Sequence, residues 1–255
     1  MRSERNEQSF HLIKPREHCF CLETHMHTSQ SSACGRGTPE EMVLAYKQAG
    51  YDGIIVTDHF MNGNSCIDRS LPWEEQVDRY CLAYEKAKQC GDEIGFSVFF
   101  GFEFNYLTTE FITLGVGKDW LKAHPEIMTI PIEDYLTLIR DHGGMNIHAH
   151  PFREARYITE HRFYPDLVDA VEVINLGNHD PIYNSKALHY AQEHALPMTS
   201  GSDCHAPDHH MGAGLAMDQR PSGIKDIMDT IRSGQGYTLL GEELVCNRMH
   251  EGDEE

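Results

Sequence analysis

Strand-like and helix-like segments alternate along nearly the whole 255-residue chain, and this alternation constrains the fold more than any other feature. CFCLETH at 19–25 reads as a strand. Pro39, at a first-turn helix position, opens PEEMVLAYKQAG, which closes at Gly50. GIIVTDH at 53–59 is a short β-branched run suited to a buried strand, and a helix over 73–90 follows Pro72. Strands are expected at 95–105 and 111–117, a helix from Pro131 to near Gly143, and further strands at 145–150, 169–175 and 197–203. Helices at 181–194 and 221–233 and a last strand, GYTLLG, complete the pattern. Such alternation predicts parallel strands with right-handed crossovers. About seven strand–helix units lie nearer a barrel than a doubly wound sheet. One domain over 19–245 is expected, with an N-terminal extension at 1–18 and an acidic tail at 246–255.

The unusual residues fall at the strand ends. His25, His27, Asp58, His59, Glu103, His148, His150, Glu172, Asn175, Asp203 and His205 all sit where a strand gives way to a loop. In α/β barrels the rim at the C-terminal ends of the strands builds the active site. His25 and His27 are i and i+2 in an extended segment, which sets both rings on one face about 6.6 Å apart along the chain. The same spacing recurs in His148-Ala149-His150 and in Asp203-Cys204-His205, while Asp58-His59 and Glu103 add donors on two more strands. The joint pattern is a ligand set for divalent metal. Its mixed nitrogen and oxygen donors suit Zn²⁺, Mn²⁺ or Fe²⁺, and the surplus of ligands points to more than one ion. The 17 His agree with that reading. The 8 Cys form no CxxC pair, so they read as reduced thiols rather than a zinc ribbon or a disulfide framework. Cys34 and Cys204 lie beside candidate ligands, but read as packing residues and not as nucleophiles.

These residues carry a resemblance. ETHMHTSQSSACGRGTPEEMVLAYKQAGYDGIIVTDH, GFEFN, NIHAHP and GSDCH are similar, in order and spacing, to the motifs of the PHP (polymerase and histidinol phosphatase) superfamily, over about residues 20–210. The resemblance implies an α/β fold, a distorted (β/α)7 barrel holding two or three divalent ions and hydrolysing phosphoesters. By motif, His25 and His27 match the pair on the first ion, with Asp203 completing that site. Glu103 matches the carboxylate bridging two ions, and His150 a ligand of the second. His59 and His205 match ligands of the third. Two departures stand out. Many members carry a further His six residues after the HxH pair, where this chain has Ala33, with Ser31, Ser32 and Cys34 nearby. Many also carry a second-site His in the strand after the bridging Glu, and FITLGVG has none. His148 and His179 are candidate substitutes.

Clustered divalent ions suit in-line phosphoryl displacement, because they acidify a bound water and neutralise charge on the phosphate oxygens. Glu103 and Asp203 are assigned to holding that pair. Asp58 fits two roles, orienting His59 or a metal-bound water, or capping the strand–loop turn. A phosphate dianion also calls for Arg, which stays charged and donates in a fork. Arg153 and Arg156 follow His150, and Arg36 follows the HxH strand; Arg153 is favoured and Arg36 ranked second.

The balance of 40 acidic against 21 basic residues, net −19, argues against nucleic acid and anionic membranes as partners. A small phosphorylated metabolite or nucleotide is the expected substrate. MRSERNEQSF lacks an apolar secretory core and no run approaches the roughly 20 apolar residues of a membrane span, so a cytoplasmic location is expected. Three readings compete with a phosphomonoesterase: a phosphodiesterase or exonuclease, a barrel hydrolase cleaving C–N bonds, and a metal-binding regulatory protein without turnover. The C–N hydrolases usually use a carboxylated Lys, and no Lys lies at these strand ends.

Overall fold

The structure, a computed structural model, describes residues 18–209 and 211–241. The expected acidic tail, and all of the expected N-terminal extension but His18, lie outside these residues. In chain order the elements are β1 (Phe20–Glu23), α1 (Pro39–Gln48), β2 (Gly53–Val56), α2 (Trp73–Ile94), β3 (Ser97–Tyr106), β4 (Thr109–Leu114), α3 (Lys118–Ala123), α4 (Ile132–Asp141), β5 (Met145–His148), β6 (Ala170–Asn175), α5 (Pro181–Glu193), β7 (Met198–Gly201), β8 (Gly214–Met217), α6 (Ile224–Ser233) and β9 (Tyr237–Leu240). Local chemistry explains several boundaries. Thr38 caps α1 in a reciprocal box, its hydroxyl accepting from the Glu41 amide while the Glu41 carboxylate accepts from the Thr38 amide. Helix α2 stops at Gly95, whose φ of 69° is the left-handed conformation a C-terminal cap requires.

One sheet runs in the order β7-β6-β5-β4-β3-β2-β1-β8-β9. The pairs β1–β2, β2–β3, β5–β6 and β6–β7 are parallel, as the alternation predicts. Strand β4 is not. It is antiparallel to both β3 and β5, because Leu107 and Thr108, with φ of 48° and 72°, make a two-residue hairpin turn. Strand β8, absent from the sequence-based expectation, is antiparallel to β1, and β9 to β8. The sheet curls until its two ends nearly meet. Side chains bridge the gap: Ser200 Oγ donates to the Leu240 carbonyl and Tyr237 Oη to that of Met198, while the Gly214 amide donates to Ser200 Oγ. The result is an α/β, nearly closed barrel, in line with the expected distorted barrel.

Apolar residues fill the barrel below its rim. Leu22, Ile55, Ile112, Leu114, Ile147 and Leu215, drawn from five strands, form one cluster with Ile227, Met228 and Ile231 of α6. Inverting β4 has a consequence for function. The start of β4, Thr109 and Glu110, now shares a rim with the ends of β1, β2, β3, β5, β6 and β7.

Candidate metal centre

The rim gathers a buried knot of imidazoles and carboxylates. His25 and His27 lie just beyond β1 in extended backbone, and their Nε2 atoms face each other at 3.3 Å. Asp203 Oδ1 lies 3.0 Å from His27 Nε2 and 3.6 Å from His25 Nε2. Glu103 Oε1 lies 3.2 Å from His25 Nε2 and 3.0 Å from His150 Nε2, while Oε2 is 2.5 Å from His59 Nδ1 and 3.7 Å from His27 Nε2. Thus one carboxylate, in the C-terminal half of β3, touches four imidazoles from three other strand ends.

The wider separations in the knot match the spacing of ligands around a metal ion. Ligand atoms about 2.0–2.2 Å from a tetrahedral ion stand about 3.3–3.6 Å from one another. Neither His59 Nδ1 nor Glu103 Oε2, though buried and adjacent, makes a properly directed hydrogen bond. The other ring nitrogens are occupied in the way ligating imidazoles require. His25 Nδ1 meets Glu172 Oε1 at 2.9 Å, His27 Nδ1 meets Ser32 Oγ at 3.2 Å, and His205 Nδ1 meets the Asp203 carbonyl at 2.8 Å. Each of the three rings therefore turns its Nε2 lone pair inward. Among the described residues, four sets of three donors come within 4.8 Å of one another: His25, His27 and Asp203; His59, Glu103 and Glu110; His25, His150 and Glu172; and His27, His59 and His205. The donors fit divalent ions.

A sequence model of the PHP domain matches residues 23–231. The chain belongs to the PHP domain family. Solved structures of similar fold include a two-domain protein from Bacteroides vulgatus containing a predicted PHP-like metal-dependent phosphoesterase. It is 16% identical, with a TM-score of 0.66, covering 92% of this chain and 69% of that one. Another is PsfC from Pseudomonas syringae, 16% identical with a TM-score of 0.57, covering 87% and 91%. A third is an amidohydrolase from Chromobacterium violaceum with bound sulfate and no metal, 17% identical with a TM-score of 0.51, covering 82% and 96%. No curated protein matches this chain.

Against the PHP motifs, the structure brings His25, His27, His59, Glu103, His150, Asp203 and His205 together. It does not bring His148. The i, i+2 argument needs extended backbone, and β5 ends at His148; His150 then takes a left-handed φ of 27°, which sends the two rings apart. His148 lies against Phe111, Phe163 and Tyr190, with both ring nitrogens buried and without a hydrogen-bond partner. Burial, followed by the nearby charge of His150, pushes its pKa down to about 3. His179 is exposed against Tyr183 and lies outside the cluster as well.

Asp58 faces the loop after β1 and not His59. Its carboxylate accepts from the Thr28 amide at 2.6 Å, the Thr28 hydroxyl at 2.7 Å and the Ser32 hydroxyl at 2.6 Å. Ser32 Oγ in turn accepts from the His59 amide at 2.9 Å and meets His27 Nδ1. Of the two expected roles, the turn-fixing one is what the contacts describe, with Ser32 passing the constraint on to His27. Arg153 reaches Asp203 Oδ2 at 2.5 Å, Asn175 Oδ1 at 2.8 Å and Asn178 Oδ1 at 3.0 Å, so it braces a ligand at the mouth of the site. Arg36 and Arg156 are exposed; the Arg36 amide donates to the His205 carbonyl, whereas Arg156 lines a hollow with His161, His179 and Tyr183.

Three contributors lay outside the sequence-based assignments. Glu110 stands 3.6 Å from His150 Nε2, where the His missing from FITLGVG would be sought. Its signal was hidden because it opens a strand instead of closing one. Glu172, noted only as a strand-end carboxylate, holds His25 and accepts from the His150 amide at 3.0 Å. Cys34 is only half-buried and lies near the His59 and His205 imidazoles, unlike Cys204, which is buried as expected. Burial alone would raise the Cys34 pKa, but those two imidazoles outweigh it and bring it down to about 6.

The electrostatics form a set of opposed charges. Burial would raise Glu103, yet His59 and His25 hold it well below the usual carboxylate range. Asp203 is likewise held low, against burial, by Arg153 and His25. Burial would lower His25, but Glu172, Asp203 and Glu103 hold it well above the ordinary imidazole value. His27 is held well below that value by burial and by His59 and His205, which keeps it in the neutral, ligating form.

Proposed function

We propose that this chain hydrolyses the ester bond of a small phosphomonoester, assisted by two or three divalent ions. The observation that carries the reading is Glu103, buried at the centre of four imidazoles from three strand ends, with Asp203 beside it. His25, His27, Asp203 and Glu103 would hold a first ion, and Glu103, Glu110 and His150 a second. Bound there, such ions supply Lewis-acid neutralisation of the phosphate oxygens and lower the pKa of water toward neutrality. Zn²⁺, Mn²⁺ and Fe²⁺ all suit this donor set.

The chain's own residues do the rest. Glu172 and Ser32 fix the rings of His25 and His27, so no donor has to reorganise during turnover. Arg153 keeps Asp203 ionised and aimed inward. In the overall reaction the phosphorus–oxygen bond to the leaving alcohol breaks, water supplies the new P–O bond, and its second proton goes to the alcohol. The net charge of −19 favours a small anion entering a locally cationic pocket over a long polyanion. The absence of a transmembrane span among the described helices is consistent with a substrate met in solution. We place the reaction in the cytoplasm.

The test is inorganic phosphate release across a panel of phosphomonoesters with Mn²⁺, Zn²⁺ or Fe²⁺, against chelated protein and Glu103→Ala. Metal-dependent release lost in both controls is expected. Release only from diesters would replace this reading with a phosphodiesterase, and amine release from amides would replace it with a C–N hydrolase. No turnover from metal-loaded protein would leave the regulatory reading in its place.

A further inference from the structure

The guanidinium of Arg153 is fully engaged by Asp203, Asn175 and Asn178. Beside that bridge the rim opens into a hollow of about 560 Å³, lined among others by Glu154, Arg156, Ile158, His161, His179 and Tyr183. The hollow is joined to the metal centre. A smaller cleft lined by Glu110, His150 and Arg153 shares Ile158, Glu160 and His161 with it, so the two have one wall in common. His161 Nε2 donates to the Arg153 carbonyl at 3.1 Å. A Cβ on Gly177, two residues before His179, would stand 2.9 Å from Asp203 Oδ2 and 3.0 Å from Arg153 Nη2. The loops that build the hollow are therefore the loops that pack on the Arg153–Asp203 bridge. Its charges are unevenly matched. Glu160 Oε2 meets Arg162 at 2.5 Å, and Glu154 Oε1 lies 3.8 Å from Lys186 Nζ, so both carboxylates face a cation. Among the described residues Arg156 has no ion-pair partner, in a chain with 40 acidic residues against 21 basic ones. It stands exposed, with His161 and His179 exposed in the same hollow.

We propose that this hollow is a subsite for a second anionic group on the substrate, a carboxylate or phosphate borne by the leaving alcohol, and that Arg156 recognises it. The inference rests on the phosphoesterase reading above and names its substrate class: the phosphomonoester of an alcohol that is itself an acid. A hollow of this size suits part of a small ligand, and its unmatched group is a planar, permanently charged fork that fits either anion. With the scissile phosphate at the donor knot, the alcohol would pass along the shared wall at Ile158 and His161 and set its anion against Arg156. Ile158 and Tyr183 offer its carbon atoms apolar surface. Arg156 then determines specificity and not chemistry, since it lies outside the knot.

The probes are alkyl phosphates of graded chain length ending in a hydroxyl, a carboxylate or a second phosphate, together with the matching phosphonates, whose carbon–phosphorus bond water does not cleave. Phosphate release by the metal-loaded full chain is expected to favour the anion-ended esters about 5–10-fold, through a lower KM. The phosphonates should bind with the same preference in isothermal titration, and both preferences should shrink at high salt. Whichever anion gives the larger ratio, carboxylate or phosphate, is the group the subsite takes. Arg156→Gln should bring the ratios to about one, Arg156→Lys should retain part of them, and Arg156→Glu should turn the preference toward amine-ended probes. Equal handling of hydroxyl-ended and anion-ended probes by wild type, or a preference that survives Arg156→Gln, would overturn the subsite and leave the phosphoesterase reading standing. An Arg156-dependent preference among the phosphonates, without phosphate release from any ester, would overturn only the phosphoesterase reading. A chain that neither binds a phosphonate nor releases phosphate would overturn both.

Discussion

Arg153 and Asp203 meet at 2.5 Å across the mouth of the site, joining the loop after β5 to the end of β7. Asp203 turns its other oxygen toward His25 and His27, and it does so from a left-handed backbone with φ of 53°. A non-glycine residue in that region costs of order 1–3 kcal/mol and persists only where its surroundings hold it. The Asp203 amide, donating to the His25 carbonyl at 2.8 Å, holds the backbone, and Arg153, itself braced by Asn175 and Asn178, holds the carboxylate. Arg153→Ala should therefore reduce phosphate release by about 10–100-fold and weaken metal binding together. Arg153→Lys keeps the charge but loses the fork, and should recover little of either. Metal affinity measured beside turnover checks this; unchanged affinity would reduce Arg153 to a substrate contact.

Glu110 should matter most to one ion. Glu110→Gln keeps the shape and removes the charge, so metal analysis should find one equivalent lost or weakened while the His25, His27 and Asp203 set stays filled. Glu110→His, which restores the family's usual donor type, should retain full occupancy. Full occupancy in Glu110→Gln would show that this carboxylate is not a ligand.

Asp58 acts at a distance. Its oxygens accept three hydrogen bonds from Thr28 and Ser32, and an amide cannot accept all three. Asp58→Asn and Ser32→Ala should each lower metal affinity about 10–100-fold through His27, without removing a ligand. Isothermal titration with Zn²⁺ provides the check, and the two effects should fail to add, since both break the same chain of contacts.

Metal binding should release protons. His25 is held well above its ordinary value and His59 is pushed up to about 11, burial notwithstanding, by the carboxylates they face. Groups with raised pKa keep their protons to higher pH, and an ion must displace them, so affinity should climb with pH through neutrality and onward toward about 11. Titrations in buffers of different ionisation enthalpy will count the protons; a count of zero near pH 7 would contradict the assigned charges.

His148 gives a separate acid sensitivity. Its folded pKa of about 3 lies below the ordinary value of 6.5, so between these limits the unfolded chain binds more protons than the folded one. Stability is then lost as pH falls through that window, by about 2 kcal/mol from this group between pH 7 and pH 5. In His148→Leu that part of the loss should vanish, measured by urea unfolding at the two pH values.

The HxH pair, Glu103 and Asp203 were legible in the sequence because each lies at or near the C-terminal end of a short strand-like run. The i, i+2 rule worked at His25 and His27, where the backbone stays extended. It failed at His148, because the left-handed φ of His150 is a property of the packed loop and leaves no mark on spacing. Strand β8 escaped notice for a related reason: GLAM is short and buried, and only its pairing with β1 makes it a strand.

Taken alone, the sequence determined which residue types the rim would carry, the α/β alternation, and seven of the donors that meet there, since these depend on local patterning and on spacing along single strands. The tertiary structure decided the rest. Reversing β4 brought Glu110 to the rim, and curling the sheet put His25 beside Glu172 of a strand far away in sequence. Those contacts are non-local, and only a closed barrel brings their partners within bonding distance.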